Sequence, residues 1–219
     1  MSTPWKTPLE YIGRDPESRL LHRQTNKDVL FDIKAVPAQA ARPLEYSWTA
    51  ARIPHNSLVL DVGTGDSTYP ENLIKLKNCS IVCVDLSPNR IHDIEYHCCN
   101  ICQWKDNRRF NAITCISVLE HTTNDDVIVK NMVSRLVPFG LLLITTPYTH
   151  HEMQEDISHP SGLQRYYSME AIHERIIGPS GCCLVDINFV HYGWPHGEPY
   201  FAPPHNAGVV LLALQKRGY

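Results

Sequence analysis

The chain has 219 residues, 43% hydrophobic and 20% charged, a composition that excludes disordered and fibrous classes and suits one substantial core. Its formal net charge of −3 argues against a nucleic-acid partner, since such proteins carry a basic excess, and only Lys105 with Arg108 and Arg109 forms a dense basic cluster. No apolar run approaches the roughly 20 residues that span a bilayer. Met1–Glu10 lacks the apolar core of an export signal, so the expectation is a cytoplasmic chain with no membrane partner and eight mostly reduced cysteines.

Residues 1–55 show mixed, weakly helical patterning broken by prolines at 37, 43 and 54, and read as a cap segment ahead of one globular domain over 56–219. Trp5, Tyr11, Tyr46 and Trp48 place aromatic rings there, either to pack on a sheet or to close over a ligand. From Ser57 onward short β-rich apolar runs alternate with helix-patterned stretches, the signature of βα units around a parallel sheet. Strands are predicted over 57–62, 80–85, 94–99, 111–117, 141–146, 184–191 and 209–215. Their continuous apolar character fits burial on both faces. Helices are predicted over 70–77, 125–136 and 169–177, the last opening after Ser168 as N-cap and closing at Gly178. Only Leu86–Asp93 joins the second and third strands, short of the dozen or so residues of a parallel crossover, so a turn is expected in place of a helix.

Between the first strand and the first helix lies Asp61-Val-Gly63-Thr-Gly65-Asp66-Ser67. Glycines there allow a tight turn and close approach to a ligand. Asp85 ends the second strand, where a carboxylate can accept hydrogen bonds from ribose hydroxyls at the carboxyl edge of the sheet. A dinucleotide fingerprint would want a third glycine at Thr68, and the acids Asp61 and Asp66 disfavour a diphosphate. S-adenosylmethionine, with its sulfonium and amino group, suits that charge pattern better than NAD. The short link after Asp85 leaves the ribose side of such a site open unless the N-terminal segment covers it.

These residues carry a family resemblance. Leu58-Val-Leu-Asp61-Val-Gly63-Thr-Gly65 resembles motif I of the class I S-adenosylmethionine-dependent methyltransferases, and Cys83-Val-Asp85-Leu-Ser-Pro88 resembles the acidic motif after it. Phe110-Asn-Ala-Ile-Thr-Cys-Ile-Ser117-Val-Leu-Glu120-His121 is similar to the fourth-strand motif of the type 11 subgroup. Leu136-Val-Pro-Phe-Gly140 through Pro147 is similar to its fifth-strand segment, and Arg165-Tyr-Tyr-Ser168 to the start of its next helix. The likeness runs in order over residues 57–190. It implies a Rossmann-like α/β fold, a seven-stranded, mostly parallel sheet in the order 3-2-1-4-5-7-6 with the last strand antiparallel, and flanking helices. It implies S-adenosylmethionine as cofactor, with Asp61, Gly63, Thr64 and Gly65 at its methionine end, Asp85 at the ribose and Leu86 after it as a further cofactor-binding residue. Asn100 and Ile101 fall at the adenine, and Ser117 beside the methyl donor. Two positions depart from the family pattern: Ser67 stands for the third small residue of motif I, and Asn100 for an acid that meets the adenine amino group. Glu45-Tyr-Ser-Trp48 is similar to a segment of methyltransferases from bacterial polysaccharide and secondary-metabolite loci, which tilts the acceptor toward those classes.

Methyl transfer needs a base only where the acceptor must lose a proton. His121, just after the fourth strand, matches proton transfer near neutral pH, the competing role being simple ordering of its loop with Glu120. Tyr148 and His150 are the next candidates for acceptor contact. They open the segment 146–159, a long loop whose three histidines and three acids read as solvated polarity rather than a metal site. His196 and His205, in a proline-rich stretch, read the same way, and Cys99 and Cys102 read as structural thiols rather than zinc ligands. The expected function is methyl transfer to an oxygen or nitrogen of a small molecule. A cofactor-binding protein without turnover and an NAD-linked oxidoreductase are the alternatives.

Overall fold

The computed structural model describes residues 42–88, 93–155, 163–191 and 208–218. Trp5, Tyr11, His159, His196, His205 and residues 89–92 of the short link lie outside them. Helix α1 (Arg42–Arg52) precedes β1 (Leu58–Val62), α2 (Tyr69–Lys77), β2 (Ser80–Asp85) and β3 (Glu95–Cys98). Strand β4 (Phe110–Ile116) leads through a 3-10 turn (Leu119–His121) into α3 (Asp125–Ser134). Then come β5 (Leu136–Tyr148), β6 (Met153–Glu155), β7 (Gln164–Tyr166), α4 (beginning at Met169–Ile172), β8 (Cys183–His191) and β9 (Gly208–Gln215).

Seven strands form one sheet in the order β3-β2-β1-β4-β5-β9-β8, and β9 runs antiparallel to both neighbours while β1 to β5 are parallel. This is the order expected from the family resemblance. Successive residues of the central strands enter opposite cores. Leu60, Ile113, Leu142 and Ile144 join Met132 and Ile172 on one face. Val59, Ala112 and Leu143 join Trp48, Tyr69 and Leu73 on the other. The alternation explains why these strands read as unbroken apolar runs: both faces are covered. Helix α1 is therefore one of the covering helices, tied to the far edge by Arg52, whose Nε donates to Asp186 Oδ2 at 3.0 Å on β8.

Three expectations change. Helix α3 stops at Ser134, because Leu136 already pairs with Phe110, and β5 reaches from there to Tyr148. Gly178 does not end α4: with φ −56° it continues a helix that widens into a π turn at His173–Ile177, and the left-handed terminator is Gly181 at φ +61°. The wider turn accommodates Pro179, which lacks an N–H and would crowd the preceding turn of a regular helix. Finally, the loop predicted over 146–159 contains the end of β5 and all of β6, which pairs antiparallel with β7 through Met153–Tyr166 and Gln154–Arg165. Three-residue strands are too short to leave a periodic signal.

Candidate functional site

The carboxyl ends of β1, β2, β4 and β5 gather the glycine turn, Asp85, Ser117 and His121 at one edge of the sheet. Gly63 has φ +77° and Gly65 φ +58°, so the turn needs the left-handed backbone that glycine allows. The two glycines differ in surroundings. A Cβ on Gly63 would stand 2.2 Å from Val118 Cγ2, whereas one on Gly65 would meet nothing within 4 Å among the described residues. The turn thus packs on the 117–121 segment behind and, among the described residues, is open in front. Facing that space, Asp85 Oδ2 accepts the Gly65 N–H at 2.8 Å and Oδ1 accepts the Ser87 N–H at 2.7 Å. Each carboxylate oxygen keeps a lone pair for a further donor. Leu86 follows, 74% exposed, an apolar side chain standing in water beside the carboxylate.

Asp61 is buried across from Thr114 in the β1–β4 register, and Thr114 Oγ1 donates to its Oδ1 at 2.6 Å. Burial pushes its carboxyl up to about 6, the hydroxyls of Thr114 and Thr64 pulling the other way and the charge of Asp85 adding to the rise. Thr64 is buried in the turn. Asn100 spends one side-chain lone pair on its own turn, Oδ1 accepting the Cys102 N–H at 2.9 Å, and Ile101 is buried beneath it in the core. An open-fronted glycine turn, an oriented carboxylate, a buried acid and an apolar floor fit a ligand that combines hydroxyls, a positive centre and a flat base. They do not fit a diphosphate, which would meet two acids.

Helix α1 adds Arg42 and Glu45, which the sequence left unassigned, and brings in Tyr46, one of its candidate aromatic residues. Ser117 has φ +52°, and its Oγ donates to Glu45 Oε2 at 2.7 Å. Thr145 Oγ1 donates to the same oxygen, and Arg42 lies 3.6 Å from it while its Nη1 donates to Ile116 O at 3.3 Å. Tyr46 stacks on Tyr69 with centroids 5.0 Å apart and hydrogen-bonds Ser67 of the glycine turn. Arg42, Glu45 and Tyr46 therefore bridge the turn to the ends of β4 and β5. Their spacing is visible in the sequence, but the same i, i+3 pair of opposite charges also marks a solvated helix face. Trp48 instead joins the core beside Val59, with the Arg52 guanidinium over its ring.

His121 is half-buried on the 3-10 turn, and its Nδ1 lies 2.9 Å from Leu163 O. A carbonyl only accepts, so Nδ1 carries the hydrogen and the neutral ring holds its lone pair on Nε2. Beside it Glu120 is buried and accepts from Thr146 Oγ1 at 3.1 Å, and burial pushes its carboxyl up to about 8. Tyr148 and His150 are not brought to the same place as equals. Tyr148 is buried against Phe189, ring centroids 5.0 Å apart, whereas His150 is exposed at its edge.

Cys83 and Cys115 are fully buried, Cys99 half-buried and Cys102 exposed, and burial raises all four thiols. Among the described residues, the one group with metal-type ligand atoms within 4.8 Å of one another is Glu95, His97 and Asp106. Arg108 occupies that group, Nη1 donating to Glu95 Oε2 at 2.8 Å and Nε to Asp106 Oδ2 at 2.9 Å, so a cation already sits there. No helix among the described residues is long and apolar enough to cross a membrane.

A family model described as a methyltransferase domain matches residues 33–177, well over half of the chain. A ubiquinone biosynthesis O-methyltransferase from Xanthomonas axonopodis pv. citri (strain 306) is 28% identical over 124 residues, 50% of this chain and 52% of that protein. A protein of the same name from Coxiella burnetii (strain Dugway 5J108-111) is 33% identical over 100 residues, 40% and 42% of the two chains. The chain spans about half the length of the curated relatives it matches. Among solved structures, the Burkholderia thailandensis 1,6-didemethyltoxoflavin-N1-methyltransferase, bound to 1,6-didemethyltoxoflavin and S-adenosylhomocysteine, superposes with a TM-score of 0.66 at 16% identity. That match covers 99% of this chain and 93% of the other. The N-methyltransferase NodS from Bradyrhizobium japonicum WM9, in complex with S-adenosylhomocysteine, gives 0.57 at 16% identity over 92% and 99%. At these identities the structures share the fold. With the family match added, the chain belongs to the S-adenosylmethionine-dependent methyltransferase-domain family of class I fold.

Proposed function

We propose that this protein transfers a methyl group from S-adenosylmethionine to an oxygen of a small molecule, with His121 taking the proton that the acceptor must lose. The observation that carries the cofactor half is the Asp85 carboxylate, aimed by the Gly65 and Ser87 amides across the open front of the glycine turn. In this reading Asp85 accepts from the ribose hydroxyls, Leu86 and Ile101 sandwich the adenine, and Asn100 meets its edge. Asp61, Gly63, Thr64 and Gly65 hold the methionine end, with Arg42 the nearby cation for its carboxylate, and Ser117 lies beside the methyl group.

When bound, the cofactor supplies an electrophilic methyl on a sulfonium centre, displaced in line, so positioning provides much of the rate. The chain's own contribution is to hold both reactants and to take one proton. His121 is set up for that, because its hydrogen is committed to Leu163 O and its lone pair lies on Nε2. An oxygen acceptor is supported by that base and by the O-methyltransferase name of the sequence relatives. A hydroxyl must shed its proton to become a neutral ether.

Thermal denaturation of wild type and Asp85→Ala with S-adenosylmethionine, S-adenosylhomocysteine or NAD tests the cofactor assignment. A ligand at 100 times its dissociation constant stabilises by about 2.7 kcal/mol. The expected result is a shift with the two adenosyl ligands that Asp85→Ala loses. A shift with NAD alone would overturn the reading.

A further inference from the structure

We infer that Asp125 and Arg165 are positioning residues for His121: a buried ionic hub fixes both the turn that carries the ring and the carbonyl that orients it. His121 owes its functional weight to the preceding proposal, whereas its ring geometry can be measured without any acceptor.

Asp125 opens α3 and is fully buried. Its Oδ2 accepts from Arg165 Nη1 at 2.7 Å, Tyr167 OH at 2.8 Å and Arg175 Nε at 2.8 Å. Its Oδ1 accepts from Arg175 Nη2 at 2.8 Å and from the Asp126 N–H at 2.9 Å. A buried carboxylate surrounded in this way is strongly destabilising if any partner is lost, so the group holds one arrangement rather than several.

The three side chains on Asp125 also reach past it to the segment on either side of His121. Tyr167 OH lies 3.1 Å from Leu119 O, Arg165 Nη1 lies 3.3 Å from Thr122 O, and Arg175 Nη2 lies 3.5 Å from Thr123 O. Those carbonyls belong to the segment between β4 and α3, outside the sheet ladder. On the other side, Leu163, whose carbonyl accepts from His121 Nδ1, is two residues before Arg165. Arg165 is itself pinned in β7 by its register with Gln154 and by Glu152 at 3.3 Å from its Nε. One guanidinium thus links the position of the ring to the position of the atom that selects its tautomer. Arg175 supports the hub from α4, and its pairing with Asp125 raises its already high affinity for the proton.

The test is a long-range proton–nitrogen NMR correlation on protein labelled with nitrogen-15 histidine and saturated with S-adenosylhomocysteine, the His121 signals being assigned by their loss in His121→Gln. At a pH where the ring is neutral, wild type should show the Nδ1–H pattern. Arg165→Met should lose it and shift toward the Nε2–H form that an unconstrained imidazole prefers, with S-adenosylhomocysteine affinity changed by less than about twofold, since the hub side chains bond the carbonyls of Leu119, Thr122 and Thr123 rather than the glycine turn. Arg165→Lys keeps a charge for Asp125 but gives up the planar fork that also reaches Thr122 O, and should lie between the two. It serves as the deciding variant should Arg165→Met not fold. An Nε2–H ring in wild type, or an unchanged Nδ1–H ring in the folded variant, overturns the inference. Failure of the proposed function has a different sign: His121→Gln would then methylate as fast as wild type while the tautomer result stood.

Discussion

Gly63 and Gly65, with Thr64 between them, carry different burdens, and an added methyl group tells them apart. Gly63→Ala places a Cβ 2.2 Å from Val118 Cγ2 on a backbone at φ +77°. Overpacking and the left-handed strain add, so a loss of about 2–4 kcal/mol is expected in chemical denaturation. Gly65→Ala meets nothing, so its loss should stay near 1–2 kcal/mol from backbone strain alone, while S-adenosylhomocysteine affinity falls because the methyl enters the ligand's space. Equal losses of stability would show that the turn does not open as described. A second residue-scale effect concerns Glu120, which burial pushes from 4.5 up to about 8. The folded chain holds this proton more tightly than the unfolded one. The contribution therefore favours folding fully below 4.5 and is lost as the pH rises through about 8. Between those limits wild type should lose stability faster than Glu120→Gln, by on the order of 1.4 kcal/mol per pH unit. Parallel urea titrations across that range measure the difference. Asp61 titrates lower, through about 6, and affects both proteins alike.

At the scale of elements, the sequence located most of the sheet because the central parallel strands, covered on both faces, read as apolar runs. Strand β2 falls at the predicted residues, and β1, β3, β4, β8 and β9 within one residue of theirs. Elements defined by a single contact were not legible. The end of α4 moved from Gly178 to Gly181 because Pro179 reshapes the turn between them, and β6 and β7 exist only as partners of each other. The site divides the same way. Asp61, the glycines, Asp85 and Ser117 are fixed by their place at strand ends, so their gathering at one edge followed from the pattern. Arg42 and Glu45 sit in α1, whose docking depends on tertiary partners 70 or more residues away. Tyr148 read as an acceptor-contact candidate in a loop after the fifth strand, yet it ends β5 and is buried with Phe189 of β8 against its ring. The docking of α1 has its own test. Glu45→Ala removes the acceptor shared by Ser117 and Thr145 and should destabilise by about 1–3 kcal/mol, whereas Glu45→Gln, which keeps an acceptor oxygen, should lose less than half of that. Equal losses from the two variants would mean that the charge beside Arg42, rather than the shared acceptor, holds the helix.

The whole molecule has two unlike edges, and parallel topology is the reason. Because β1 to β5 run the same way, every connection leaving a carboxyl end can reach a ligand, and every connection at the amino ends is free to serve structure alone. The amino edge uses that freedom to lock the chain's last described residues. Phe139 N–H donates to Lys216 O at 3.1 Å, Lys216 N–H donates to Gly140 O at 3.0 Å, and Lys216 Nζ reaches Leu136 O at 2.8 Å. The carboxyl edge instead leaves Gly65 and Leu86 facing open space. Cofactor binding should therefore be felt on one side only. In hydrogen exchange, saturation with S-adenosylhomocysteine is expected to slow amides in 63–68, 85–88, 99–103 and 117–121, and through Tyr46 and Glu45 those of α1. Amides in 137–140 and 215–218 should exchange as before, since the hydrogen bonds that tie Phe139, Gly140 and Leu136 to Lys216 lie at the amino edge. Protection spread evenly over both edges would mean that binding tightens the domain as a whole, and the one-sided assignment of the site would fail. Protection confined to the carboxyl edge and absent in Asp85→Ala would tie it to the carboxylate that the Gly65 and Ser87 amides hold in place.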